Sequence, residues 1–410
     1  MERFTGLIGI VLILGIAFLF SNNKKKINLR LVLSGLFLQV SIAVLVLKVP
    51  VVNTFFQSLG KGMQKLESFA REGAAFVYNG IGTYDHTGKV VNYGTTPAFV
   101  FAFNITATII LVCIIVAILY HLRIMQTIVA VVARAMNFVM RVSGAEALSN
   151  VASAFVGQVE AQVMIRAYLP TMTKSELLAS MSGSLACIAG GILIVYANMG
   201  ARADYLIAAS LMAAPGALVI SKIVFPETEV SPTMGKVKME VKSNYTNLID
   251  AITHGAADGF KISMNVIAML IGFIALIAML NWMLGHVYTG LSLDVIFSKL
   301  FYPFAWAMGV PSEDITNAAT LLGQKLTVNE FVAFKNLTSH NVAVVSPRGL
   351  TIITIAICGF ANFSSVGMQI GGIGALAPER RTDLAKLAMK ALLCGTLASY
   401  LSATIAGILV

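Results

Sequence analysis

Residues 145–174 read AEALSNVASAFVGQVEAQVMIRAYLPTMTK. Two apolar arms of roughly 12–15 residues flank a polar centre, whereas a membrane-crossing helix needs about 20. Neither arm crosses a bilayer alone. The segment therefore reads as a re-entrant hairpin that enters from the cytoplasm, turns at Gly157–Glu160 and returns. Irregular backbone at that depth is tolerated only where protein or a water-filled cavity satisfies it. A solvated turn between two soluble helices is the competing reading, and the rest of the chain decides between them.

Of the 410 residues, 57% are hydrophobic and 12% charged, against about 25% charged in a soluble domain. Such a composition belongs to an all-α integral membrane protein. The net charge of +10 comes from basic residues gathered in short loops, as the positive-inside bias requires, and gives no reason to expect nucleic acid. Cys113, Cys187, Cys358 and Cys394 lie within apolar segments without metal-ligand spacing, which predicts free buried thiols.

From the hairpin outward, hydropathy yields a repeated order. The run at 5–20 lacks a cleavable-signal pattern and reads as a helix. Lys24, Lys25, Lys26 and Arg30 follow it, so the loop is cytoplasmic and the N-terminus outside. Residues 29–47 return outward. Residues 51–80 carry Phe55, Phe56, Leu59, Met63, Leu66 and Phe69 at helical spacing, which suits a helix on the membrane surface. Residues 79–96 read as a polar external loop, 99–120 as an inward span, and 121–144 as a cytoplasmic surface helix. After the hairpin, 175–200 is apolar but interrupted, with Thr173 or Ser175 as cap and Gly190 and Gly191 as breakers. Residues 205–224 return to a polar cytoplasmic loop at 226–261, and 262–284 span again. Residues 291–314 read as an external surface helix.

The second interrupted segment, 315–341, has two short arms around Asn329 and Glu330; the broken stretch 349–376 and a last span to Val410 follow. Hairpin, broken helix, plain helix thus occurs twice, entering first from inside and then from outside. That is the hydropathy of an inverted repeat, in which substrate binds near the midplane at the interrupted segments. The expected organisation is a scaffold part over 1–120, a first transport repeat over 121–225, a cytoplasmic loop with scaffold span and external helix over 226–305, and a second transport repeat over 306–410.

Glu160 and Glu330 occupy matching places, and an ionisable group inside a membrane defaults to function; pairing with Lys325 is the structural alternative for Glu330. Asn362 and Ser365 share a helix face and equally suit helix–helix contact. Together these groups offer a distinctive chemistry. A carboxylate accepts hydrogen bonds from a diol, and the Gln158 amide both donates and accepts. Phe360 supplies a ring face, and helix ends at the hairpin tips supply backbone donors. No residue set resembles a nucleophile with its base, and the five histidines, His86, His121, His254, His286 and His340, are scattered near segment ends. A channel, or a transporter of another polar solute such as a nucleobase or sugar, also fits this pattern; a membrane enzyme lacks any motif.

The motifs GQVEA at 157–161, NEFVA at 329–333, GFANFSS at 359–365, YPFAWAMGVP at 302–311 and SNNKKKINLR at 21–30 together resemble the concentrative nucleoside transporter family in its bacterial short form. The resemblance runs over essentially the whole chain. It implies eight transmembrane helices, two opposed re-entrant hairpins, a homotrimer in the cytoplasmic membrane with both termini outside, and an elevator-type mechanism. It implies that Gln158 and Glu160 contact the nucleobase of a nucleoside such as uridine, that Glu330, Asn362 and Ser365 hold the ribose, and that Phe360 and Ile192 line the pocket. The family's common GQTE is GQVE here, so Val159 replaces a hydroxyl. Sodium-coupled members use backbone carbonyls, a serine whose position is Cys187 here and an asparagine whose position is Ser153 here; the backbone positions are Ser153, Val156, Cys187 and Ile188. A thiol is a poor ligand for a hard cation, so the expectation is proton coupling, with sodium as the alternative and no other cofactor.

Overall fold

The computed structural model describes residues 2–78, 101–234, 245–339 and 341–410. The expected external loop at 79–96, with His86, lies largely or wholly outside them, as do part of the cytoplasmic loop and His340. The described residues are helical throughout, with one isolated bridge between Ser143 and Met234.

Helix α1 (Glu2–Leu19) and α2 (Leu29–Lys48) are joined by the Lys24–Lys26 turn, and Asn28 caps α2 by accepting from Leu31 N at 3.2 Å. Helix α3 (Pro50–Tyr78) carries the amphipathic stretch. Helix α4 (Phe101–His121) bends by 75° into α5 (Ile124–Met140), where Arg123 takes a left-handed conformation that breaks the ladder. The first hairpin is α6 (Gly144–Ser153) and the four-residue α7 (Glu160–Val163), continued by turns to Thr171. Its arms are shorter than the sequence leads one to expect. Gly157 at φ +129° opens the turn, and Pro170, with no N–H to give, closes the irregular return.

Helices α8 (Lys174–Ala186) and α9 (Gly190–Asn198) form the first broken helix, followed by α10 (Ala203–Val224). Of the two cap candidates, Thr173 serves, in a capping box with Glu176. The polar stretch expected to stay a loop up to residue 261 is instead helical from residue 248. Helix α11 (Leu248–Val287) runs unbroken for 40 residues. Its polar first half is held because Asn247 caps it and Gly255 and Gly259 bring its backbone against Ile110, Cys113 and Ile114 of α4. The expected external surface helix is split into α12 (Leu293–Leu300) and α13 (Tyr302–Ala307), with Pro303 in the first turn of the second. The second repeat comprises α14 (Ile315–Thr327), α15 (Glu330–Thr338), α16 (Pro347–Ile357) and α17 (Phe363–Leu376), and α18 (Arg381–Leu409) ends the chain.

Helices α10 and α18 form the centre and are almost wholly buried. Helix α10 packs on α2, α8 and α18, and α18 on α1, α8 and α16. By length and apolarity, four described helices can cross a membrane: α2, α8 with α9, α10, and α18 with the turn before it; the bent pair α4–α5 makes a fifth if it is one span. Helix α1, the end of α11, α16 and α17 are apolar but short. These are spans among the described residues, where α16 and α17 divide the apolar length of one segment between two short helices.

Candidate functional site

The second hairpin turns at Val328 and Asn329. Asn329 caps α15 by accepting from Val332 N at 2.9 Å, which puts Glu330 at the first helical position. Glu330 is 6% exposed. Its Oε2 accepts from Asn362 Nδ2 at 2.8 Å and its Oε1 from the Tyr196 hydroxyl at 3.0 Å. Asn362 is the N-cap of α17: its Oδ1 accepts from Ser365 N and from the Ser364 hydroxyl, both at 2.8 Å. One carboxylate thus joins the second hairpin to both broken helices, α9 through Tyr196 and α17 through Asn362.

Lys325 makes no ion pair with it. The ammonium is fully buried and has no hydrogen-bond partner. Tyr196, which the sequence analysis does not single out, stacks on Phe334 with centroids 4.4 Å apart. The signal was a lone phenol in the run ILIVYAN, since a buried tyrosine hydroxyl needs a partner.

The first hairpin meets the same helix α17 further along. Gln158 is buried; its Nε2 lies 3.9 Å from Met368 Sδ, and its Oε1 has no protein partner. Val159 rests against Gly372, so its methyl groups fill space on α17. The Glu160 carboxylate folds back over Gly157, where any Cβ would meet it. Glu160 is exposed and forms no ion pair among the described residues. From Asn362 to Met368 is six residues, about 9 Å of helix at 1.5 Å per residue. Helix α17 therefore spaces a carboxylate–amide pair from an amide with a free acceptor.

The two breaks cross. Phe360 N donates to Cys187 O at 3.2 Å, and Gly190 N donates to Phe155 O at 3.1 Å, closing the first hairpin onto the first break. Gly359, at φ +120°, lies so close to the Ala186 carbonyl that a side chain there would collide with it. Phe360 and Ile192 are both half-buried and packed against the core, and Ser365 is buried.

The four positions matching a sodium site are brought near the first break. Ser153 Oγ donates to Ser149 O at 2.7 Å and lies 2.8 Å from Ser184 Oγ, which accepts from Gln162 Nε2 at 2.8 Å. The Cys187 thiol faces Ser210 O at 3.8 Å and Asn150 O at 4.0 Å. Val156 flanks the Phe155 carbonyl that Gly190 occupies, and Ile188 is fully buried. The hydroxyl is already engaged, and the sulfur is a soft donor.

At the other end of the first repeat, the N-termini of α6 and α8 each carry a capping box, through Ser143 with Glu146 and Thr173 with Glu176. Lys222 bridges Glu146, Glu227 and Ser175, and Ser231 bonds Glu176. A cavity of about 340 Å³ lies elsewhere, lined by Lys48, Arg202 and Val410 among others. Among the described residues no cluster of His, Cys, Asp and Glu could hold a metal.

Three family models cover nearly the whole chain: "Na+ dependent nucleoside transporter N-terminus" over residues 8–81, "Nucleoside recognition" over 102–203, and "Na+ dependent nucleoside transporter C-terminus" over 205–407. The chain is 40% identical to the uncharacterized transporter YutK of Bacillus subtilis, covering 99% of each chain. It is 36% identical to the nucleoside permease NupC of Helicobacter pylori, covering 98% of this chain and 97% of that one. Among solved structures it resembles CNTnw in an inward-facing substrate-bound state, with a TM-score of 0.92, 38% identity, and coverage of 100% of this chain and 98% of that one.

Proposed function

The chain belongs to the concentrative nucleoside transporter family, whose members are membrane transporters and not enzymes, and from that premise we propose that it is a proton-coupled importer of nucleosides across the cytoplasmic membrane. The observation that carries the substrate reading is the Glu330 carboxylate, held at the start of α15 by Tyr196 and Asn362. A carboxylate accepts two hydrogen bonds side by side, and the vicinal 2′- and 3′-hydroxyls of a ribose donate two. Gln158, with an unpartnered carbonyl oxygen, reads the base edge; Glu160 stands beside it, and Phe360 and Ile192 give apolar walls. Ser365 supports the ribose end with Asn362.

The coupling ion is a separate matter. The family models carry sodium in their descriptions, and sodium symport is the second reading. The engaged Ser153 hydroxyl and the Cys187 sulfur favour the proton. Glu160 is the group suited to carry it: its carboxylate folds back over Gly157 within the first hairpin, and among the described residues no ion-pair partner holds it charged. We further propose the elevator arrangement, in which both hairpins and both broken helices travel as one transport part against a scaffold of α1 to α4 and α11. In a homotrimer with eight spans per chain and both termini outside, the exposed apolar residues of α2 and α11 (Phe37, Ile271 and Trp282 among them) meet lipid and partner copies.

Glu330→Gln tests the substrate reading. Losing a charge-assisted hydrogen bond costs about 1.5–3 kcal/mol, so uridine binding should weaken about ten- to a hundredfold. Wild type should prefer uridine to 2′,3′-dideoxyuridine, and the variant should lose most of that preference. A variant that still discriminates as wild type does would remove Glu330 from the ribose. Competition of labelled uridine uptake by free bases and sugars separates a nucleoside carrier from one for other polar solutes, and accumulation against a gradient separates it from a channel.

A further inference from the structure

Lys325 lies in the last turn of α14, five residues before Glu330. It is fully buried, yet among the described residues its ammonium has no hydrogen-bond partner and no ion pair. Buried charges are ordinarily paired, so a bare one calls for a reason. The charge that acts on it is Glu330, and Lys325 in turn acts on Glu330; the Cys358 thiol at the end of α16, which is uncharged, also lies near it. Its place in the last turn of α14 sets it at the negative end of that helix's dipole, which favours a cation there. Glu330 itself touches only neutral donors, Tyr196 from α9 and Asn362 from α17. On the other neighbour of α14, Asp294 of α12 is bonded to Gln324.

We propose that Lys325 is a positioning residue for Glu330: a fixed counter-charge that keeps the carboxylate ionised without touching it, so that each oxygen, beside its bond from Tyr196 or Asn362, keeps a lone pair for one of the two hydroxyls of a ribose. An ion pair in contact would occupy an oxygen that the substrate needs. A cation held back from contact neutralises the charge and competes for nothing. Glu330 then stays ionised through the cycle, and the coupling proton falls to Glu160. This inference rests on the reading of Glu330 as the ribose ligand.

The test is equilibrium binding of labelled uridine to the purified full-length protein from mildly acidic to alkaline pH. Wild type should show only the pH dependence that the coupling proton on Glu160 imposes. In Lys325→Met the uncompensated carboxylate takes up a proton instead of staying charged, so affinity should fall about tenfold at neutral pH, or 1.4 kcal/mol, and return as the pH rises. Lys325→Arg keeps the charge and should keep the wild-type profile. Lys325→Met binding as wild type does, or weakened equally at every pH, overturns the proposal, and so does Lys325→Arg behaving like Lys325→Met. Should Lys325→Met fail to fold, the double variant Lys325→Met/Glu330→Gln decides: folding regained supports a charge link, and folding still lost overturns it. Glu330→Gln with unchanged uridine affinity would instead remove the ribose reading, whatever the lysine variants do.

Discussion

Each Glu330 oxygen has a donor already in place, and the two donors come from different repeats: Tyr196 from the first and Asn362 from the second. The tyrosine fixes where the carboxylate stands, since its ring is clamped on Phe334. Tyr196→Phe keeps that stacking and removes only the hydroxyl. Uridine affinity should drop about tenfold, near 1.4 kcal/mol, with little change in melting temperature, as read by calorimetric titration and thermal unfolding of the same preparation. Gln158→Ala should weaken purine and pyrimidine nucleosides alike, because the amide is the polar group facing the base from the first hairpin. Val159→Thr should be tolerated, since the side chain rests on Gly372 and the two residues are nearly equal in size. Carboxylates in short apolar arms stand out in the sequence because an ionisable group within a membrane segment is costly. Tyr196 was not, because a tyrosine in an apolar helix looks like any core aromatic until its hydroxyl finds a partner 134 residues away.

At the scale of elements, both broken helices and the second hairpin were readable from length and polarity. The places they break follow from residue chemistry: Asn362 and Asn329 cap what comes next, and Gly359 turns with positive φ. Asn and Gly have those preferences wherever they occur. The return arm of the first hairpin was misjudged because apolar composition does not distinguish a helix from a packed irregular chain; here turns continue α7 to Thr171. The first half of α11 was misjudged for the opposite reason. Its polar residues suggested a loop, while the small Ala251, Gly255 and Gly259 held it close to the rest of the fold. Gly359→Ala tests how tightly the two breaks are joined. An alanine there is strained by its backbone conformation and meets the Ala186 carbonyl. We expect a loss of at least about 1–3 kcal/mol of stability, seen as a lower melting temperature, whereas Gly371→Ala on α17, with open space around it, should unfold as wild type does.

For the whole molecule, the order of hairpin, broken helix and plain helix could be read twice along the sequence, but the way the two units interlock could not. Helices α10 and α18, plain spans in the sequence, turn out to be the buried axis on which α8 and α16 pack. The coupling ion is likewise a property of the whole cycle, because linkage requires ion and nucleoside to alter each other's binding reciprocally. In sodium-free proteoliposomes an inward proton gradient alone should accumulate uridine, and a protonophore should abolish it. Exchanging sodium for choline should leave the rate unchanged. If accumulation follows sodium and ignores pH, the carbonyls near Val156 and Ile188 suffice for the ion, and Cys187→Ser should then tighten apparent sodium affinity.

The hydrogen bond from Phe360 N to Cys187 O has a mechanical meaning. It pins the two helices to each other where each is weakest, and the packing of α8 on α18 and of α10 on α16 surrounds the pin. A load applied to either hairpin is therefore shared by both. Pulled from its C-terminus by a cantilever, the chain should not release its helices one at a time in sequence order. Once α18 leaves, the region from residue 144 to residue 376 should come free in a single rupture, and a trace with separate peaks for the two broken helices would show that the seam does not carry force.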